Sequence, residues 1–163
     1  MHIIDNFVLE KDANIFIKYF NNNEHLCNDS VEEHKHRNIH YCDITDIEIL
    51  RLLDYYAKKN TIFIDHLFSV KTKLWSPMRL CRWNEGDSML LHTDNNWKDK
   101  MDYSSLIYLN DNYLGGELVF NKKPLKMKKL SCVLFKSDKY EHGVNKMIKG
   151  KRYTIPSWYE KIK

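Results

Sequence analysis

The sequence predicts a mainly β domain, a sandwich or jelly roll, with helices from its N-terminal part buttressing one face. Three observations predict it. From Ile62 onward the chain breaks into short β-rich runs, several of them separated by turn signals: Asn84-Glu85-Gly86-Asp87, Asn110-Asp111-Asn112 and Gly150. Before Ile62, apolar residues recur at helical spacing in two segments. Neither a linker nor an internal repeat interrupts the 163 residues. The chain is therefore read as one domain, with 1–61 as a helical support region and 62–163 as the β core.

In chain order, Ile3 to Leu9 alternates loosely and reads as a first strand. Glu10 to Phe20 follows as an amphipathic helix, with Ile15, Phe16, Tyr19 and Phe20 on one stripe and Asn21-Asn22-Asn23 ending it. The polar stretch from Glu24 to Cys42 has no clean period and reads as loop. Thr45 to Lys59 is the clearest helix. Thr45 is placed as N-cap and Glu48 as its capping-box partner. Ile49, Leu52, Leu53 and Tyr56 form the stripe, and Lys58-Lys59-Asn60 closes it. Strands are then expected around Ile62–Val70, Trp75–Trp83, Met89–His92, Tyr103–Leu109, Glu117–Phe120, Leu130–Phe135, Glu141–Met147 and Arg152–Tyr159.

Composition narrows the class. A hydrophobic content of 43% is too high for a disordered chain. The net charge of +4 comes from scattered lysines, which read as solvated surface rather than a nucleic-acid patch. No apolar stretch approaches a membrane span. The start, Met1-His2-Ile3-Ile4-Asp5, lacks the charged and apolar regions of a secretory signal, and Cys27, Cys42, Cys81 and Cys132 show no C-x-x-C spacing. Free thiols in a reducing, cytoplasmic setting are expected.

The residues that carry chemistry are His92 and Asp94, with His142 and Arg152 beyond them. Residues two apart on an extended segment face the same way, so one strand end can present an imidazole and a carboxylate to one ion. A third ligand must come from a neighbouring strand, and His142 is the only later histidine. Two imidazoles and one carboxylate on one face of iron(II) leave the opposite face open. Arg152, ten residues past His142, offers a planar, permanently charged fork for a carboxylate. His-x-Asp alone is common in a chain with eight histidines; the combination gives it weight. A second cluster, His34, His36, His40 and Cys42, has zinc-binding residue types but not the paired spacings of structural zinc sites, and reads as polar loop.

Between and after these residues lie Tyr108-Leu109-Asn110, Gly115-Gly116-Glu117 and Gly150-Lys151-Arg152. With the Trp83-to-Gly86 element, the stretch from Trp83 to Tyr159 resembles the catalytic core of the prolyl 4-hydroxylase-like family of iron(II)/2-oxoglutarate-dependent dioxygenases. The resemblance covers about half the chain. It implies a double-stranded β-helix (jelly roll, cupin-like) core, with His92, Asp94 and His142 as metal ligands and Arg152 pairing with the distal carboxylate of 2-oxoglutarate. Relatives often have tyrosines where this chain has Trp83 and Met89, and those hydroxyls help hold the cosubstrate. Tyr103, Ser104, Ser105 and Tyr108 are the candidates to replace them, and Trp158 matches a family aromatic near the site. Gly115 and Gly116 serve backbone geometry. Asn95, Asn96 and Trp97 lie where substrate contacts would fall.

The resemblance further implies Fe(II), 2-oxoglutarate and O2, with ascorbate as reductant. The implied reaction is hydroxylation of an unactivated C–H bond, with succinate and CO2 released. A prolyl or other amino-acid side chain in a peptide or protein is the expected substrate, with free amino acids as a further option. With the Asp94 carboxylate in place, hydroxylation is expected rather than halogenation. Two alternatives stand beside this reading. An AlkB-like nucleic-acid demethylase would carry a second Arg six positions after the first, where this chain has Trp158. A non-redox cupin-like metal-binding module would have no use for Arg152.

Overall fold

The computed structural model describes residues 1–32, 37–42, 44–94 and 101–162. Strand β1 (His2–Ile4) leads into helix α1 (Glu10–Asn22), then β2 (Cys27–Glu32) and β3 (Arg37–Cys42), then helix α2 (Ile47–Phe68). The remaining elements are strands: β4 (Thr72–Leu74), β5 (Leu80–Trp83), β6 (Met89–His92), β7 (Tyr103–Tyr108), β8 (Leu114–Gly115), β9 (Leu118–Phe120), β10 (Lys123–Leu125), β11 (Cys132–Lys136), β12 (His142–Val144), β13 (Met147–Lys149) and β14 (Arg152–Lys161). The large antiparallel sheet runs β1-β11-β7-β14-β5-β3-β2, with β4 also on β14; the small one runs β10-β9-β12-β6.

Period-two alternation divides the large sheet's side chains between two environments. On β14, Tyr153, Ile155 and Tyr159 join the apolar core formed with α1 and α2, where Phe16, Phe20, Leu53, Tyr56 and Ile64 are buried. The alternate residues Arg152, Thr154, Pro156 and Trp158 line a pocket on the opposite face. Between the sheets, Tyr108, Val133 and Phe135 pack on Leu118 and Phe120, and Cys81 and Trp83 pack on Val144. This is the expected jelly-roll core with helices covering one face.

Three local expectations are corrected. Helix α2 does not stop at Lys59 but runs to Phe68, through the stretch expected to be a strand from Ile62. Its buried residues Ile49, Leu53, Tyr56, Ala57, Asn60 and Ile64 keep a helical period across the apparent stop. Asn60 is buried because its amide donates to the hydroxyls of Ser105 (2.8 Å) and Ser157 (3.4 Å) on the sheet, so it belongs to the stripe. The expected boundary between 61 and 62 thus falls inside one helix. The cap of α2 is Asp46, whose carboxylate accepts from the Glu48 and Ile49 amides, not Thr45. The stretch from Glu24 to Cys42 contains the hairpin β2–β3. Its pairing to β5 supplies backbone bonds that need no apolar alternation.

The helices are tied together by polar contacts. The Tyr56 hydroxyl donates to Asp12 (2.7 Å) and accepts from the Leu9 amide (3.1 Å), joining α2 to the start of α1. No helix among the described residues is long and apolar enough to cross a membrane.

Candidate active site

Strands β6 and β12 pair so that His92 and His142 are direct Cα partners. Their rings stand 4.4 Å apart, centroid to centroid. Gly143 makes this approach possible. A Cβ there would lie 2.6 Å from the Met89 carbonyl oxygen, so any larger residue would push β12 off β6. Asp94, two residues past His92, completes the group. Its Oδ1 lies 3.5 Å from His92 Nε2 and its Oδ2 3.5 Å from His142 Nε2. One ligand atom from each of the three residues lies within 4.8 Å of the others.

Both imidazoles are held in the tautomer that a metal needs. His92 Nδ1 faces the Leu90 carbonyl at 3.0 Å, and His142 Nδ1 faces the Tyr140 carbonyl at 3.3 Å. A carbonyl only accepts, so each Nδ1 carries a proton, which leaves each Nε2 as the ring nitrogen that faces Asp94 and would meet a metal. Burial opposes ionisation of Asp94, but hydrogen bonding from His92, the charge of His142 and the Ser104 hydroxyl outweigh it and hold the carboxyl at about 2. Burial also lowers the pKa of His142, against the pull of Asp94. At neutral pH the set is therefore a carboxylate with a neutral His142, the protonation that metal coordination requires. This donor set fits an iron(II) facial triad.

Behind the carboxylate, the Ser104 hydroxyl donates to Asp94 Oδ2 at 2.5 Å and shares a bond with the Ser137 hydroxyl at 2.8 Å. Ser104, expected beside the cosubstrate, lines the pocket and also bonds the Asp94 carboxylate.

The same pocket is lined on the opposite sheet by Arg152. Arg152 is 0% exposed. Its Cζ lies 5.2 Å from the Trp83 ring centroid and 4.9 Å from that of Tyr108, so the guanidinium sits over two aromatic rings. Nη2 donates to the Tyr108 hydroxyl at 2.9 Å. Nε and Nη1 have no hydrogen-bond partner among the described residues. A buried guanidinium with open donors fits a carboxylate arriving from outside the chain.

The other expected residues separate by strand face. Trp158 lines the pocket with Met89 and Trp83. Tyr108 supports Arg152 rather than lining the pocket. Tyr103 is corrected: it lies on the helix side of β7, in the core with its ring 4.8 Å from Phe68, because odd positions of this strand face the helices. Ser105 is turned mainly to that side, accepting from Asn60. Thr154 was missed. Its hydroxyl is buried, without a hydrogen-bond partner among the described residues, and it lines the pocket two residues past Arg152. Strand alternation from Arg152 is the signal that finds it. Tyr113 was also missed; its partly buried hydroxyl lies beside Arg152, whose charge opposes the rise that burial causes in its pKa. His34, His36, Asn95, Asn96 and Trp97 lie outside the described residues.

The profile of the 2OG-Fe(II) oxygenase superfamily matches residues 78–160, which hold the triad, Arg152 and half of the chain. The chain belongs to the 2OG-Fe(II) oxygenase superfamily. A human relative, prolyl 3-hydroxylase 2, is 33% identical over 88 residues, covering 45% of this chain. The chain spans 12% of the length of that protein. Among solved structures, a Trichoplax adhaerens prolyl hydroxylase in complex with a hypoxia inducible factor peptide fragment superposes with a TM-score of 0.80 at 19% identity, covering 98% of this chain and 82% of the other. The viral collagen prolyl hydroxylase of Paramecium bursaria Chlorella virus-1, in its 2OG complex, superposes with a TM-score of 0.77 at 19% identity, covering 99% and 96%. Both share the oxygenase jelly-roll fold with this chain. Membership also accounts for the donor set: iron(II), 2-oxoglutarate and O2 are the reactants of this superfamily.

Proposed function

We propose that this protein is an iron(II)- and 2-oxoglutarate-dependent dioxygenase that hydroxylates a prolyl or other amino-acid side chain in a peptide or protein. One observation carries the reading: buried Arg152, with two open donors, lines the same pocket as His92, Asp94 and His142. A cation held this way needs an anion, and a dicarboxylate can meet it while its other end reaches the metal. His92, Asp94 and His142 would hold the iron. When bound, the iron would let O2 act as the oxidant, with 2-oxoglutarate oxidised to succinate and CO2, one oxygen atom of O2 entering succinate and the other the substrate.

The chain's own residues do four things. The carbonyls of Leu90 and Tyr140 fix the imidazoles, and Ser104 fixes the Asp94 carboxylate. Arg152, held by Tyr108 and packed on the Trp83 ring, orients the far carboxylate of 2-oxoglutarate. Thr154 offers that carboxylate a further hydroxyl. Met89, Leu118, Val144 and Pro156 keep the pocket apolar and limit water.

The choice of a prolyl or related side chain rests on the relatives, since the Trichoplax enzyme binds a peptide fragment and the human relative is a prolyl hydroxylase. Free amino acids are the secondary option. Trp158 in place of a second Arg speaks against a nucleic-acid demethylase, and the open donors of Arg152 speak against a non-redox module. The chain works as one catalytic domain in this reading.

The test is mass spectrometry of peptide pools incubated with enzyme, iron(II), 2-oxoglutarate and ascorbate. Gain of one oxygen on proline or another side chain, dependent on 2-oxoglutarate, is expected. Turnover with methylated nucleic acid and none with peptides would replace the peptide reading.

A further inference from the structure

Away from the pocket, the base of the β2–β3 hairpin carries two cysteines with no part in the proposed chemistry. Cys27 opens β2, Cys42 closes β3, and the two are Cα partners in the antiparallel ladder. Both thiols reach the same acceptor, the Asn23 carbonyl at the end of α1, Cys27 Sγ at 3.5 Å and Cys42 Sγ at 3.7 Å. The Cys27 thiol also lies within hydrogen-bonding reach of Cys42. Directly opposed residues of an antiparallel pair have Cα atoms about 4.5–5.5 Å apart, inside the span a disulfide bridges. The other two cysteines are not so placed: Cys81 on β5 and Cys132 on β11 are separated in the sheet by β14 and β7.

We propose that Cys27 and Cys42 form a modification site, a cross-strand disulfide closed by exchange with a small-molecule disulfide such as oxidised glutathione. Cys27 is half-buried and Cys42 is 2% exposed, so Cys27 is the thiol that a reagent meets first. The Cys27 sulfur, losing its proton, attacks the reagent and releases one glutathione as thiolate, which takes up that proton. The Cys42 sulfur then attacks the Cys27 side of the mixed disulfide and releases the second glutathione in the same way. Two protein thiols are oxidised, one reagent disulfide is reduced, and two glutathione thiols are formed.

The environment sets the rate. Burial, and then the neighbouring Cys42, push the Cys27 thiol up to about 12, so little thiolate exists at neutral pH and closure is slow. A high-pKa thiol is also a poor leaving group, so the closed bridge resists reduction. The site is a slow staple rather than a rapid switch. The bridge would fix the hairpin where β3 joins β5, the strand that carries Trp83 against Arg152.

The experiment is a peptide map of the full chain after incubation with oxidised glutathione, quenched with N-ethylmaleimide in denaturant. Lys35 and Arg37 lie between the two cysteines, so trypsin separates them unless they are bridged. A Cys27–Cys42 linked pair, lighter by the two thiol hydrogens, is expected, with Cys81 and Cys132 alkylated. Oxidation should raise the thermal midpoint by about 6–12 °C, a shift absent in Cys27→Ser. Both cysteines recovered alkylated, or Cys27 recovered only as a glutathione adduct, would overturn the proposal.

Discussion

Arg152 donates through Nη2 to the hydroxyl of Tyr108 at 2.9 Å. The bond crosses between neighbouring strands β14 and β7, and the Tyr108 ring also lies 4.9 Å from the guanidinium. Tyr108 thus fixes the fork without consuming it, since Nε and Nη1 remain open.

Removing that bond should loosen the fork without unfolding the protein. In Tyr108→Phe the ring stays and the hydroxyl goes. A neighbouring-donor hydrogen bond contributes about 1 kcal/mol, so 2-oxoglutarate should bind roughly fivefold more weakly. Calorimetric titration of 2-oxoglutarate into Mn(II)-loaded protein under anaerobic conditions measures it. Unchanged affinity would mean that Tyr108 is packing alone.

Ser104 and His142 separate orienting a ligand from being one. Ser104→Ala leaves Asp94 in place but frees its carboxylate, and metal affinity should fall about 10- to 100-fold. His142→Ala removes a donor and should lose iron and turnover together. Fluorescence titration with Mn(II), alongside circular dichroism for fold, distinguishes them. Tight metal binding by folded His142→Ala would remove it from the ligand set.

The alternation of strands explains what was legible from sequence. His92 and Asp94 share a face because they are two apart, and the pairing of β6 with β12 brings His142 opposite His92. The same rule run along β14 from Arg152 puts Thr154 in the pocket, whereas Tyr103 is placed only by the pairing of β14 with β7, which sets it opposite core-facing Tyr159. The second half of α2 was not legible. Thr61, Ile62, Phe63 and Ile64 favour strands locally, and Lys58-Lys59-Asn60 imitates a helix stop, but burial of Asn60 and Ile64 against the sheet overrides both. The β2–β3 hairpin was illegible for the opposite reason: its partner is the backbone of β5, which leaves no apolar period in the sequence.

Outside the site, Arg82 is buried, with Nε and Nη1 unpartnered among the described residues, and its Nη2 meets Glu24 at 2.5 Å. The hydrogen bond and charge of Arg82 lower the pKa of Glu24. A carboxylate with a depressed folded-state pKa stabilises the fold above its unfolded pKa, and loses that contribution as pH falls through the folded value. Glu24 is more than half exposed, so solvent screening limits the effect to about 1 kcal/mol. Urea unfolding should find Glu24→Gln less stable than wild type at pH 7, with the gap narrowing as the pH is lowered below the ordinary carboxyl value. A gap that does not change with pH would assign the loss to something other than the charge.

In the proposed function, Arg152 anchors 2-oxoglutarate at a His92–Asp94–His142 iron centre. The most direct measurement is succinate release from 2-oxoglutarate with iron(II), ascorbate and O2, comparing wild type with Arg152→Ala at matched metal occupancy. Wild type should release succinate in an iron-dependent manner. The variant should bind metal as before and need at least about 100-fold more 2-oxoglutarate, the scale of losing a bidentate charged pair. Succinate release at the same 2-oxoglutarate concentration in both proteins, or none from metal-loaded wild type together with no 2-oxoglutarate binding, would contradict the account.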